Sequence, residues 1–486
     1  MNAQAMRRGI AGLLIVTPWV QPFAPAPSTA VVPLLLSWFC LCLLWLVWPR
    51  RDPRLYAVAW VVAAAISVAM GIVQYAGTPP SLAWLITPAG PLDVYANLRQ
   101  RNQFATLCSI GFAALLWGGR RSLGRLTDVA IAVFLAIGNA MSLSRTGALQ
   151  LLMIAAFVLL WKSPKKATRL KLCAAAIAAY LLTAAMLPLL TPWFTDAPGS
   201  NAFMRMASDS AACSSRFVLW ANVAELIQAK PWTGWGAGEL DYAHYMHLYS
   251  ALRFCDILDN AHNLPLHLAV EFGIPAALLV CGGVLVLVAR ARPWQERNPS
   301  RCLAWMVLAL IMLHSMVEYP LWYGPFQFAA CLCVVVLWRS APGAPPFRLR
   351  QFPGLLVAGA PALLTVLIAQ AGWEYWRVRQ IYLPLEARAS AYRTGTLDKV
   401  RDSRFFQRQV AFAEFTLSTL TPANAQWTLD TATELLHFSP EPRVIEALLE
   451  SALLLHRNDI FQHHLVRYNA AFPLEHAAWR QKWGLN

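Results

Sequence analysis

Runs of about 20 apolar residues recur from the N-terminus to about Gly372, and each is long enough to cross roughly 30 Å of hydrocarbon as a helix. No single soluble core absorbs 486 residues that are 58% hydrophobic and 13% charged, so lipid must solvate much of the chain. Spans are predicted near 9–23, 31–48, 55–76, 103–118, 128–143, 147–161, 170–190, 266–289, 302–318, 324–338 and 354–372, which makes eleven, give or take one. Backbone polar groups in lipid must be satisfied internally, and nothing alternates as barrel strands would, so the expectation is an all-α polytopic membrane protein. A second hydrophobic helix follows the first directly with no clear A-x-A site, so the first is read as a retained span.

Charge sets the orientation. Arg7–Arg8, Arg50–Arg54, Arg120–Arg125, Lys162–Lys171, Arg290–Arg301 and Arg339–Arg350 lie in alternate connections and hold 20 of the 40 Lys and Arg; the acids in or beside them are only three, Asp52, Asp128 and Glu296. This is the positive-inside pattern, and it makes the net charge of +15 a report of topology, not a nucleic-acid footprint. The connection from about Thr191 to Pro265 has four bases against seven acids and falls on the opposite side. With an odd number of spans and the N-terminus inside, the tail falls outside as well.

Eight of the ten cysteines lie within spans, where small apolar packing accounts for them. Cys213 and Cys255 lie in the long outside loop, where an oxidising compartment would let them pair and tie off that segment.

Two domains are expected: 1–372, a membrane domain that includes the loop 191–265, and 373–486, a helical module. In the loop, SSRFVLWANVAELIQAKPWTGWGAGEL reads as an amphipathic helix ended by a Pro and a Gly-rich turn. In the tail, VRDSRFFQRQVAFAEFTLSTL, NAQWTLDTATELLHF, PRVIEALLESALLLHR and DIFQHHLVRYNAAF space their apolar residues as helices do, like stacked hairpins loosely of tetratricopeptide type.

Ionisable residues near spans are costly unless paired or functional. Arg145, in AMSLSRTGALQ, sits at the turn of a tight hairpin on the outside, although an Arg snorkelling to headgroups would look the same. Arg216 begins SSRFVLW, where a solvated surface Arg is the plain alternative. His262, in DNAHNLPLHLAVEFG, stands before the eighth span between Asn260 and Asn263; a lone His is more often structural. Together, two guanidiniums suited to phosphate oxygens and an imidazole suited to proton transfer make a sensible set for the outer face. No G-x-x-x-x-G-K-[ST] loop and no D-x-D is present, which removes an ATP-driven pump and leaves a metal-dependent nucleotide-sugar site without support. The pairs His244/His247 and His463/His464 lack a third ligand, so no metal is expected.

The combination of SRTGAL, SRFVLW, KPWTGWGAGE and AHNLPLHLAVEFGIPAALL resembles the O-antigen ligase and polymerase superfamily, multispan glycosyltransferases of GT-C type. LRQRNQFATL and VEYPLWYGPF look like its branch of bacterial O-linked protein oligosaccharyltransferases. The resemblance implies catalytic roles for Arg145, Arg216 and His262, and substrate contacts for Asn102, Gln103, Arg99, Arg101, Glu318 and Tyr319. It implies block transfer of an oligosaccharide from undecaprenyl diphosphate to a Ser or Thr hydroxyl of a pilin or other exported protein. The site would be on the periplasmic face of the inner membrane, and no cofactor would be needed. An O-antigen ligase acting on lipid A core, a polysaccharide polymerase and, from another class, a lipid or glycan transporter remain as alternatives.

Overall fold

The protein is described by a computed structural model over residues 3–47, 53–118, 124–193, 212–340 and 354–484. Of the charge pattern, Arg50, Arg51, Asp52, Arg120, Arg121, Arg205, Arg348 and Arg350 lie outside the described residues, as does most of the loop's opening, LTPWFTDAPGSN.

Among the described residues, helices run through the predicted spans: α1 Ala3–Val20, α2 Val31–Val47, α3 Pro53–Tyr75, α4 Arg101–Trp117, α5 Arg125–Met141, α6 Arg145–Leu160, α7 Lys166–Leu190, then α10 Leu264–Ala291, α11 Pro299–Ser315, α12 Gly324–Arg339 and α13 Gly354–Arg379. Between α7 and α10 lie α8 Arg216–Ala229 and α9 Leu240–Met246; the tail adds α14 Gln407–Leu417, α15 Ala425–Leu435, α16 Pro442–Leu454, α17 Asn458–Ala471 and α18 Pro473–Lys482. No strand occurs among the described residues. Three segments, Pro53–Tyr75, Lys166–Trp193 and Leu264–Gln295, are long and apolar enough to cross a membrane by themselves.

The chain divides into two units, 1–208 with 287–370 and 209–286 with 371–486. In the first, α3 packs on α4 through small buried residues, Ala57, Ala63 and Ala64 facing a helix that buries Ala105, Ala113 and Ala114. Small side chains let helix backbones approach closely where lipid offers no hydrophobic drive to associate. The connection from α3 to α4 is irregular, and two buried amides hold it. Gln74 accepts the N–H of Ala96 at 2.6 Å and donates to Thr87 O at 2.9 Å, while Asn97 donates to Val20 O at 2.6 Å and to Leu85 O at 2.9 Å. Buried backbone groups without helix partners need such partners, and the result places the start of α4.

The second unit joins the loop and the greater part of α10 to the tail. Tyr245 of α9 is buried in the core formed by Leu429, Leu436, Ile445, Leu448 and Tyr468. Its hydroxyl lies 3.0 Å from His464 Nδ1, and Arg467 donates to Met246 O at 2.9 Å. The last span also differs from expectation, since α13 runs on to Arg379. There Glu374 accepts from Ser403 Oγ at 3.0 Å and from the N–H groups of Arg404 and Phe405 at 2.8 and 3.0 Å. The eighth span is interrupted at Gly273, whose φ of 85° is non-helical. Residues Leu264–Glu271 are largely covered by protein, whereas Phe272, Ile274, Leu278, Leu279 and Leu285 are exposed, so the covered part of the helix ends at the break.

Candidate active site

In the first unit the expected residues separate into a connected cluster and a supporting rim. Asn102 Nδ2 donates to Glu318 Oε1 at 3.3 Å, and its Oδ1 accepts from Ser144 Oγ at 2.6 Å. Gln100 donates to the other Glu318 oxygen at 3.2 Å. Glu318 is only 7% exposed, so these amides compensate a carboxylate that burial would otherwise penalise. Ser144 also caps α6, accepting the N–H of Gly147 at 3.1 Å, and Arg145 is the first residue of that helix, with an exposed side chain. The glycine of SRTG is needed here for packing: a Cβ on Gly147 would stand 2.0 Å from Asn139 Oδ1 and 2.8 Å from Ala105 Cβ.

Below this cluster the hydrogen bonds continue. Thr106 Oγ1 donates to Asn102 O at 2.8 Å and lies 3.0 Å from His314 Nδ1, and Gln150 donates to Thr106 Oγ1 at 3.0 Å. Gln100, Ser144, Thr106, Gln150 and His314 were not singled out from the sequence. His314 is fully buried in a helix of the membrane domain, four residues before Glu318, and a polar pair at that spacing is the signal that could have found it.

The remaining residues of the first unit are placed differently. Arg99 donates to Pro22 O at 2.7 Å, and Arg101 pairs with Asp93. Gln103 is 1% exposed, among the side chains inside α4. Tyr319 is half-buried, stacks with Tyr323 at a ring-centroid distance of 5.9 Å and lies tilted against Trp322 at 5.2 Å. The cap position of α4 is Gln100, which makes no side-chain cap bond.

In the second unit, Arg216 opens α8 directly after Ser215, which caps the helix by accepting the N–H of Val218 at 3.3 Å. Arg216 is exposed. One turn on, Trp220 Nε1 donates to Ala261 O at 3.1 Å, which fastens the Arg216 helix to the residue preceding His262. His262 has φ 49°, in the left-handed region that costs a side-chain-bearing residue energy, and its N–H is held by Asn260 Oδ1 at 2.7 Å. Asn222 clamps the chain between, donating to Leu252 O at 3.0 Å and accepting the N–H of Phe254 at 2.7 Å. The disulfide Cys213–Cys255 closes the same stretch, with Cα atoms 5.4 Å apart. Leu219, Val223, Leu226, Phe254, Leu258 and Ala261 form its core.

His244 is no free ligand, because Nδ1 lies 2.6 Å from Tyr249 Oη and Nε2 lies 3.2 Å from Phe254 O. Burial, helped by the Arg253 charge, lowers its pKa to about 3. Asp241 nearby is pushed up to about 7, chiefly by burial.

These segments can be compared with known proteins. Residues 130–281, which carry Arg145, Arg216 and His262, match the family model described as O-antigen ligase, and residues 94–117 match that of protein glycosylation ligase. The resemblance read from SRTGAL, SRFVLW and AHNLPLH is thereby borne out. Residues 302–484 match the model described as virulence factor membrane-bound polymerase, C-terminal. Among curated relatives, a ComP-specific O-oligosaccharyltransferase of Acinetobacter baylyi is 25% identical over 233 residues, 48% of this chain and 41% of that protein. A general O-oligosaccharyltransferase of the same organism is 24% identical over 255 residues, 51% and 44% respectively. The matched stretch thus spans less than half the length of either relative. The glycosylation ligase match contains the Asn102 that reaches Glu318, and the O-antigen ligase match ends within α10.

Proposed function

We propose that this chain transfers an oligosaccharide as a block from undecaprenyl diphosphate to a Ser or Thr hydroxyl of an exported protein such as a pilin. The acceptor oxygen attacks the anomeric carbon, the bond from that carbon to the diphosphate breaks, and the diphosphate leaves with the electron pair. His262 takes the hydroxyl proton; Arg145 and Arg216 offset charge on the diphosphate, for which forked donors are suited. In this reading the transfer takes place on the periplasmic face of the inner membrane, with the N-terminus cytoplasmic and the tail periplasmic. The donor brings its own activation in the diphosphate bond, so the reaction calls for no metal and no ATP.

The observation that carries the reading is the strained backbone at His262, held by Asn260 and tied through Ala261 and Trp220 to the helix that Arg216 begins. Strain of that kind persists only where the surroundings impose it. The test is co-expression of the chain with a lipid-linked glycan pathway and a pilin in a host lacking its own transferase, read by the mass of the pilin. A glycan shift that His262→Ala abolishes supports the reading. Sugar on lipopolysaccharide alone would replace it with an O-antigen ligase. The polymerase match over 302–484 favours one further reading, a polymerase, and lengthened lipid-linked chains with unmodified pilin would establish it.

A further inference from the structure

The Gly-rich turn after α8 lies in the break of α10. Trp235 N–H donates to Val270 O at 2.9 Å, Gly236 N–H to Glu271 O at 2.9 Å, and Ile274 N–H to Pro231 O at 2.8 Å. The approach is too close for side chains, since a Cβ on Gly273 would meet Trp232 O at 2.2 Å and one on Gly234 would meet Glu271 C at 2.3 Å. Added to these bonds is a carboxylate. Glu271 is 6% exposed, accepts the N–H of Gly238 at 2.8 Å and has His267 Nε2 3.5 Å away. Glu271 ends the two covered turns of α10 that begin just after His262, so whatever holds Glu271 holds the piece of helix on which His262 is hung.

The other end of the same turn faces the tail. Glu239, next to Gly238, lies 2.6 Å from His437 Nδ1, and the His437 ring stacks on Tyr242 with centroids 3.7 Å apart. Tyr245 and Met246 follow at once, in the core and hydrogen bonds of the C-terminal helices. The path from tail to His262 therefore runs through two carboxylates separated by one tight turn.

We propose that Glu271 and Glu239 are positioning residues through which docking of the C-terminal helices on α9 sets the place of the His262 imidazole. This rests on His262 acting as the proton acceptor of the transfer reaction. Neither carboxylate touches substrate; Glu271 acts through the Gly238 N–H that it accepts, and Glu239 through the His437 ring. The tail is then part of the device that shapes the site, in addition to anything it recruits.

The test uses the full chain in detergent and reads hydrogen exchange of residues 260–268 together with transfer kinetics. Glu271→Ala should speed that exchange about tenfold, as loss of one hydrogen bond does, and lower kcat up to about a hundredfold by misplacing the base, with KM for the lipid donor unchanged. Glu271→Gln keeps an acceptor for the Gly238 N–H and should restore both to within about threefold. Unchanged exchange in a folded Glu271→Ala overturns the proposal, as does a loss confined to KM. If Glu271→Ala does not fold, Glu239→Gln decides: it should raise exchange across 236–240 and 260–268 and lower kcat severalfold, and wild-type behaviour in both overturns the proposal. A wild-type chain that transfers nothing would remove the functional reading alone, because the exchange data still report whether these carboxylates hold the His262 segment.

Discussion

At the scale of single residues, the chemistry depends on where a few side chains are anchored. Arg216 stands at the first position of α8, and its value to a diphosphate would lie in the fork of its guanidinium. Arg216→Lys should therefore retain under a tenth of the transfer rate in the pilin assay while membrane insertion stays normal; a lysine variant as active as wild type would assign Arg216 a plain charge. Gly147 makes a different prediction. The added methyl of Gly147→Ala has Asn139 and Ala105 in its way, so the variant should lose about 1–3 kcal/mol of stability, read as a lower unfolding temperature in detergent. Arg145, Arg216 and His262 could be singled out as candidates because each stands in a motif that resembles a known family's. Ser144 and Thr106 were not, because a serine before a helix and a threonine in a span look ordinary until Asn102 and His314 are found beside them.

At the scale of elements, α8, α9 and the chain between Cys213 and Cys255 behave as one tied piece. Reduction or Cys213→Ser should release a 42-residue separation whose closure is worth up to about 4 kcal/mol of loop entropy, and limited proteolysis should then cut between 213 and 255 while leaving the spans intact. The titrating groups of α9 give opposite pH limbs. Asp241 is raised to about 7, so its folded-state preference for a proton is present below its ordinary 3.8 and is lost as pH rises toward 7. Asp241→Asn should flatten the fall in unfolding temperature between those values. His244 is lowered to about 3, so stability falls as pH drops from 6.5 toward 3, and His244→Gln should flatten that acid limb instead. The helices themselves were visible as apolar runs and as 3.6-residue spacing. The interruption of the eighth span was not, since GIP within an apolar run is also tolerated in unbroken membrane helices, and only the turn packed into it shows why Gly273 departs from helix geometry.

At the scale of the whole molecule, the tail belongs with the loop. Ending the chain after α13, at Arg379, would uncover Tyr242, Tyr245 and Met246, so the truncated protein should become sensitive to protease across 240–258 and lose transfer even though every predicted span is retained. A truncated chain with full activity would make the tail a separable arm. By itself the sequence determined the helical class, the positions of the apolar helices and which residue types could do phosphate and proton chemistry, because hydrophobic length, charge asymmetry and motif spacing are local quantities. Only the tertiary structure decided that Asn102 reaches Glu318, that Arg99 and Arg101 serve the backbone and Asp93, and that α9 is buried in the C-terminal helices. Those pairings join residues up to some 220 positions apart, where burial and unsatisfied hydrogen bonds choose the partners, and no local pattern along the chain records that choice.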